Sequence, residues 1–148
     1  MQCIPPTLKH IDSFRVMGLS VITKNRDEFD IKTARLPKLW QEFYSINLAT
    51  DRNIFGVYSD YASDANGLYT VTVGTTSDHT QNKLSSVTIR EGNYLVFHAK
   101  GPMPLTVIEA WKSVWDYFST KNQYQRSYLT DFEVYRNGDT VDIYIGII

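Results

Sequence analysis

An internal repeat is the feature of this 148-residue chain that most restricts its fold. An apolar helical stripe occurs twice, first as Leu36, Leu39, Trp40 and Phe43 and then as Trp111, Val114, Trp115 and Phe118. Two strand-like blocks recur at nearly the same separation, since 55–58 matches 132–135 and 71–74 matches 143–146. The separation changes only in connecting turns, where insertions are tolerated. Agreement among these blocks predicts a chain built from two similar halves.

Each half is predicted to contain a strand, a helix and a hairpin. Both stripes have the i, i+3, i+4, i+7 spacing of one helical face, and Pro37 falls in the first turn, where proline is tolerated. Alternating apolar residues predict strands at 14–24, 53–61, 68–74, 84–89, 93–98, 127–135 and 141–147.

These elements predict one α+β domain over residues 1–148, with halves at about 10–76 and 83–148. A pseudo-twofold axis relates the halves in an antiparallel sheet. We expect both main helices on one face of the sheet, the face that carries Val57 and Val134. A groove between the halves, along the axis, is the expected ligand site.

Composition excludes several classes of protein. Lys and Arg number 15 against 16 Asp and Glu, whereas nucleic-acid binders usually carry a basic face. The lone cysteine, Cys3, cannot form an internal disulfide, which favours a reducing compartment. No leader and no run of about 20 apolar residues is present. The sequence therefore predicts a cytoplasmic protein with no direct nucleic-acid contact and no membrane association.

The repeat breaks where Gly56 in the first half corresponds to Glu133 in the second. A two-residue Asn137-Gly138 turn would place Glu133 opposite Asp142, on the face shared with Tyr135. Two facing carboxylates repel each other, an arrangement that a visiting cation would relieve. The alternative is that both carboxylates lie on a solvated outer face.

The chain carries an unusually large share of aromatic residues, 14%. Trp40 and Trp115 are repeat equivalents, for which core packing is the usual role. Trp111 replaces Leu36 of the first half and is a candidate for the groove wall. Several tyrosines on predicted strands suit either sheet packing or a groove: Tyr58, Tyr94, Tyr135 and Tyr144. Aromatic faces around a carboxylate are suited to a hydrophobic cation.

Signals for catalysis are weak. His10, His79 and His98 lack metal-ligand spacing, and no nucleophile elbow, zinc-protease motif or phosphate-binding glycine loop occurs. Only Glu133, with a tyrosine hydroxyl, could perform acid–base chemistry. The sequence predicts no metal site, no cofactor and no catalytic residue.

The chain resembles the GyrI-like small-molecule-binding domain, the effector-binding module of multidrug-responsive regulators, including AraC-type ones. The resemblance covers roughly 14–148 and is most specific at 87–97, Gly101-Pro102, 111–115, 131–135 and 141–145. It implies that the acidic residue of the Phe-Glu-x-Tyr strand, here Glu133, lies in the groove and recognises cationic aromatic ligands. Gly146 departs from the family, which often has proline there.

The resemblance further implies a freestanding bacterial member, similar to those on integron gene cassettes, because the chain leaves no room for a helix-turn-helix segment. We expect it to bind or sequester lipophilic cations, with a separate regulator protein as a possible partner. The predicted binding residues are Glu133, Trp111, Tyr94, Tyr58, Tyr135, Phe97 and Trp40. Two alternatives remain: a hydrolase of electrophilic compounds that uses the same carboxylate, or an inhibitor of a gyrase-like protein.

Overall fold

The computed structural model describes residues 6–28, 32–45, 53–63, 67–76, 85–120, 123–136 and 139–148. Cys3 and the predicted Asn137-Gly138 turn lie outside these ranges. The described elements, in chain order, are β1 (Thr7–Ile11), β2 (Phe14–Thr23), α1 (Asn25–Glu28), α2 (Leu36–Ser45), β3 (Ile54–Ser59), β4 (Tyr69–Thr75), β5 (Ser85–Ile89), β6 (Gly92–Lys100), α3 (Leu105–Thr120), β7 (Arg126–Arg136) and β8 (Thr140–Ile147). The predicted α+β class is confirmed. Strand β1 and helix α1 are additions to the predicted elements.

The strands form one antiparallel sheet in the order β1-β6-β8-β7-β3-β4-β2-β5. The order shows the repeat, because β6-β8-β7 of the second half mirrors β2-β4-β3 of the first. The two halves meet where β3 pairs with β7, and there Gly56 is the direct partner of Glu133. Since these two residues are also equivalent in the repeat, the pseudo-twofold axis passes between them.

The two ends of the sheet are joined to each other. The pairing of β1 with β6 ends at the Ile11–Gly92 pair, and the pairing of β2 with β5 begins at the Phe14–Ile89 pair. The register is the same in both, so the two pairings continue each other. Because β1 leads directly into β2 and β5 into β6, the sheet curls around an apolar cluster. This barrel cluster consists of Val16, Phe55, Val57, Ile89, Tyr94, Val96, Phe132, Val134 and Tyr144.

The two main helices pack on the other face of the sheet. Leu39 and Phe43 of α2 contact a cluster with Tyr69, Val71 and Val73 of β4. In α3, Ala110 and Val114 pack on Leu95, Phe97, Val141, Ile143 and Ile145. Phe118, the repeat equivalent of Phe43, packs against the same cluster. The prediction that both helices share a face is confirmed. The choice of face was wrong, because Val57 and Val134 belong to the barrel cluster and point away from the helices.

The cause is a register difference of one residue in the last hairpin. Arg136 pairs with Thr140, and Glu133 pairs with Ile143 rather than with Asp142. The connection therefore has three residues, and the carbonyl of Asp139 accepts a hydrogen bond from the Gly101 N–H before α3. A one-residue shift exchanges the two faces of a strand. Glu133 consequently lies on the helix face, beside α3.

Asp142 lies on the opposite face and has its own partners. Its carboxylate contacts the His98 Nδ1 at 2.5 Å and forms an ion pair with Arg136. The predicted facing pair of carboxylates was wrong, and so was the solvated alternative for Glu133, which is buried.

Candidate functional site

A cavity of about 590 Å³ lies between α2 and α3, above the central β3–β7 pair. Each helix covers the sheet of its own half, so the seam between the halves stays open. The cavity is lined by Asn25, Glu28, Ala34, Leu36, Pro37, Trp40, Tyr58, Tyr61, Tyr69, Pro104, Val107, Ile108, Trp111, Lys112, Trp115, Arg126, Glu133 and Tyr135. The predicted groove between the halves is therefore present.

The Glu133 carboxylate is held on the cavity floor by three hydrogen bonds. Its Oε2 accepts from the Trp111 indole N–H at 2.5 Å and from the Tyr58 hydroxyl at 3.1 Å. Its Oε1 accepts from the Tyr135 hydroxyl at 3.0 Å. Glu133 is 3% exposed, so these contacts replace most of its hydration. Residues from β3, β7 and α3 thus converge on one side chain.

All three donors are neutral. In the part of the chain that the structure describes, no Lys, Arg or His forms an ion pair with Glu133. Burial raises the pKa of the Glu133 carboxyl, although the hydrogen bonds from Trp111, Tyr135 and Tyr58 act in the opposite direction. A buried carboxylate of this kind carries a desolvated charge that a cation would neutralise.

Gly56 makes room for that carboxylate. A Cβ at Gly56 would lie 2.7 Å from the Glu133 Oε1 and 3.5 Å from the Trp40 Cζ2. Real Cβ atoms do not approach a carboxylate oxygen so closely. The break in the repeat therefore has a steric meaning, because a glycine in one half accommodates the carboxylate of the other.

Aromatic rings pack against one another around the Glu133 carboxylate. Trp40 of α2 meets Tyr135 edge to face, with ring centroids 5.1 Å apart. Trp111 of α3 lies 5.2 Å from the Tyr58 ring and 6.2 Å from the Trp115 ring. Such contacts fix the orientation of each ring. Trp40 and Trp115 are partly buried, and each packs against the buried apolar residues beneath its own helix, as predicted. Each also lines the cavity wall.

Glu28, a second carboxylate in the cavity wall, is hydrogen-bonded to other groups of the chain. It accepts hydrogen bonds from the Arg35 and Leu36 N–H groups at 2.9 Å and 3.0 Å. The Thr23 hydroxyl donates to it at 2.5 Å. Glu28 thereby satisfies the N-terminus of α2, where the helix dipole favours a negative charge.

The family model described as Cass2, an integron-associated effector binding protein, matches residues 7–147 of this chain. The chain belongs to this family. The match covers nearly all of the sequence, both halves of the sheet and the cavity between them. Membership in the Cass2 family agrees with a role in binding small molecules.

The relatives of this Cass2 family member match it over nearly its whole length. A Vibrio cholerae integron cassette protein has a TM-score of 0.90 at 33% identity, over 97% of this chain and 96% of its own. YobU of Bacillus subtilis (strain 168), by its name a candidate transcriptional regulator, is 28% identical over 95% of this chain and 96% of its own length. SAV2435, solved with tetraphenylphosphonium bound, has a TM-score of 0.77 at 19% identity, over 98% of this chain and 94% of its own. These comparisons confirm the resemblance to the GyrI-like effector-binding fold.

The structure brings five of the seven predicted binding residues together in this Cass2 family cavity: Glu133, Trp111, Tyr58, Tyr135 and Trp40. Two others do not reach it. Tyr94 points into the barrel cluster, where its hydroxyl donates to the Arg90 carbonyl and burial raises its pKa to about 12. Phe97 packs under α3 against the rings of Tyr117 and Phe118.

Other cavity residues were missed by the sequence analysis. Tyr69 alternates with the buried Val71 and Val73 on the helix face, a pattern that could have placed it there. Burial, with Glu28 and Glu133 nearby, raises the pKa of the Tyr69 hydroxyl. No sequence pattern around Arg126 predicts that it lines the cavity, because it does so through an irregular stretch of β7.

In the described ranges, no helix is both long and apolar enough to span a bilayer.

Proposed function

We propose that this protein binds lipophilic aromatic cations in the cavity between α2 and α3, with the Glu133 carboxylate as the counter-charge. This proposal rests on the burial of the Glu133 carboxylate, which is 3% exposed. Among the residues that the structure describes, its hydrogen-bond donors are the neutral groups of Trp111, Tyr58 and Tyr135. A ligand cation would supply the charge that these donors do not.

The surroundings favour a large, delocalised cation over an inorganic one. Sodium must lose its hydration shell to reach Glu133, whereas a bulky aromatic cation loses little hydration and also buries apolar surface. The faces of Trp40, Trp111 and Tyr58 can attract the same cation through their π-systems. Charge and shape would then act together, as in other small-molecule sites with few polar groups.

The comparisons support the binding of small molecules, which is one part of this proposal. The Cass2 family is described as effector binding, and SAV2435 was solved with an aromatic cation bound. That ligand belongs to SAV2435, whose identity of 19% shows the shared fold alone. In this chain, the support for cation binding comes from the buried Glu133 carboxylate and the aromatic rings around it.

The test compares a cation with its neutral isostere. We would titrate 1-methyl-4-phenylpyridinium and 4-methylbiphenyl, following the tryptophan fluorescence. Wild type should prefer the cation, and Glu133→Gln should weaken cation binding by about 1.5–3 kcal/mol, the scale of an interaction with a charged group. The neutral isostere should lose little, because the shape of the site is kept.

Glu42→Gln is the matched control, since it removes the same charge from the exposed side of α2 and should leave both affinities unchanged. Equal weakening of cation and isostere by Glu133→Gln would contradict the proposal. Recovery of the intact cation after long incubation is expected, while its conversion would indicate hydrolysis instead.

A further inference from the structure

A second carboxylate, that of Glu28, lies in the wall of the same cavity as Glu133. It accepts hydrogen bonds from the backbone N–H groups of Arg35 and Leu36 and from the Thr23 hydroxyl. All of these donors are neutral, and in the described ranges no Lys, Arg or His forms an ion pair with Glu28. The N-terminus of α2 offsets about half an elementary charge. Part of the negative charge of Glu28 is therefore uncompensated.

A ligand in the cavity can approach Glu28. This residue is partly exposed and lines the cavity, whereas Glu133 on the cavity floor is 3% exposed. Burial raises the pKa of the Tyr69 hydroxyl, and the charges of Glu28 and Glu133 raise it further. Because Tyr69 also lines the cavity, both carboxylates act on the same space.

The two cationic side chains of the cavity wall have carboxylate partners of their own. Arg126 forms an ion pair with the buried Asp131 at 2.7 Å. The Lys112 Nζ lies 3.5 Å from the Glu109 Oε1 on the exposed side of α3. Each of these pairs is neutral overall, so neither compensates the two carboxylates of the cavity.

Two tyrosine rings lie between those carboxylates. The Tyr58 hydroxyl donates to Glu133, and the Tyr58 ring centroid lies 5.6 Å from that of Tyr69. Tyr69 pairs with Thr23, whose hydroxyl donates to Glu28. Strands β7 and β2 are three strand spacings apart in the sheet, about 14 Å. An elongated ligand that follows the two rings can approach both carboxylates.

We infer that the preferred ligands of this cavity are elongated aromatic dications, with one positive charge at Glu133 and the other at Glu28. The inference rests on the proposed function and adds a second point of recognition. A carboxylate favours a positive charge within about 4–6 Å, so the two charges of the ligand must be well separated. A cavity of about 590 Å³ is large enough for a drug-sized ligand of this kind.

A dication and its singly charged isostere test this inference. 1,8-Bis(4-phenylpyridinium-1-yl)octane carries two separated charges, and 1-[8-(biphenyl-4-yl)octyl]-4-phenylpyridinium replaces one ring nitrogen by carbon. Calorimetry on wild type should show about tenfold tighter binding of the dication, the scale of one more partly exposed charge pair. This gain exceeds the roughly twofold statistical advantage of a ligand with two equivalent ends. With a two-carbon spacer in both compounds, the gain beyond that advantage should disappear.

Glu28→Gln keeps the shape of the side chain and removes its charge. In this variant the preference for the dication should fall to the statistical advantage, while the affinity for the singly charged isostere should stay unchanged. Asp27→Asn is the matched control, because it removes a charge from the same helix at a residue outside the cavity wall listed above. It should keep the full preference. If Glu28→Gln fails to fold, the spacer comparison on wild type still tests the inference.

The outcomes separate this inference from the proposed function. A wild-type protein that binds dication and isostere equally, or a preference that persists in Glu28→Gln or with the two-carbon spacer, would overturn this inference alone. Failure of wild type to bind either compound, or binding of the isostere that Glu133→Gln leaves unchanged, would overturn the proposed function and this inference with it.

Discussion

Gly56 and Glu133 are equivalent positions of the two halves and also direct partners across the β3–β7 seam. Identical residues at such a position would face each other across the pseudo-twofold axis. Two glutamates there would repel, and two glycines would provide no charge. The actual pair places the Glu133 carboxylate on the axis. That carboxylate fills the space that a side chain at position 56 would need.

Gly56→Ala should therefore damage the site. The added methyl group would lie 2.7 Å from the Glu133 Oε1 and would force the carboxylate away from its hydrogen-bond donors. Overpacking of this kind costs about 1–3 kcal/mol. Chemical denaturation should show that loss, and cation affinity should fall as well. Thr88→Ala, on the exposed side of β5, is the control, and unchanged cation affinity in Gly56→Ala would contradict the steric role.

Cation binding should depend on pH through Glu133. Burial raises the pKa of its carboxyl above the usual value of 4.5. The charged form, which binds the cation, is present above that raised pKa and is lost as the pH falls through it. A titration at several pH values should show affinity decreasing with a midpoint above 4.5, while Glu133→Gln should show no such change. A midpoint at or below 4.5 would argue against a desolvated carboxylate.

The unliganded protein should become more stable when the charge of Glu133 is removed. A carboxyl group whose pKa is higher in the folded than in the unfolded state stabilises the fold at low pH, and this stabilisation is lost as the pH rises through the folded pKa. Glu133→Gln should therefore raise the Tm at neutral pH, with the difference shrinking below pH 4.5. A lower Tm at neutral pH would show that the hydrogen bonds of the carboxylate outweigh its burial.

Trp40 and Phe43 lie one helical turn apart on α2 but should respond differently to truncation. Phe43 is fully buried, so Phe43→Ala should cost about 3–5 kcal/mol of stability. Trp40 is only partly buried and lines the cavity, so Trp40→Ala should cost less stability. It should weaken binding of cationic and neutral aromatics alike, because contact area is lost for both. Parallel melting and binding measurements on the two variants test this contrast.

Much of the architecture could be predicted from local patterns. The spacing of Leu36, Leu39 and Phe43 is determined by the helical period, and its recurrence 75 residues later predicts the second helix. The repeat also singled out Glu133, because a carboxylate that interrupts an apolar, repeated block has an energetic cost. These features depend on residues that are neighbours in the chain, so the sequence by itself determined them.

Tertiary contacts decided which face each strand presents. Alternation separates Tyr58 from Val57 but does not predict which of them faces a helix. The β7–β8 register, in which Glu133 pairs with Ile143, reversed the expected faces. Tyr94 is buried in the barrel cluster because the sheet curls until the β1–β6 and β2–β5 pairings continue each other. Arg126 reached the cavity through an irregular strand. Each of these outcomes depends on residues far apart in the chain, because register, closure and packing are settled only when the two halves meet.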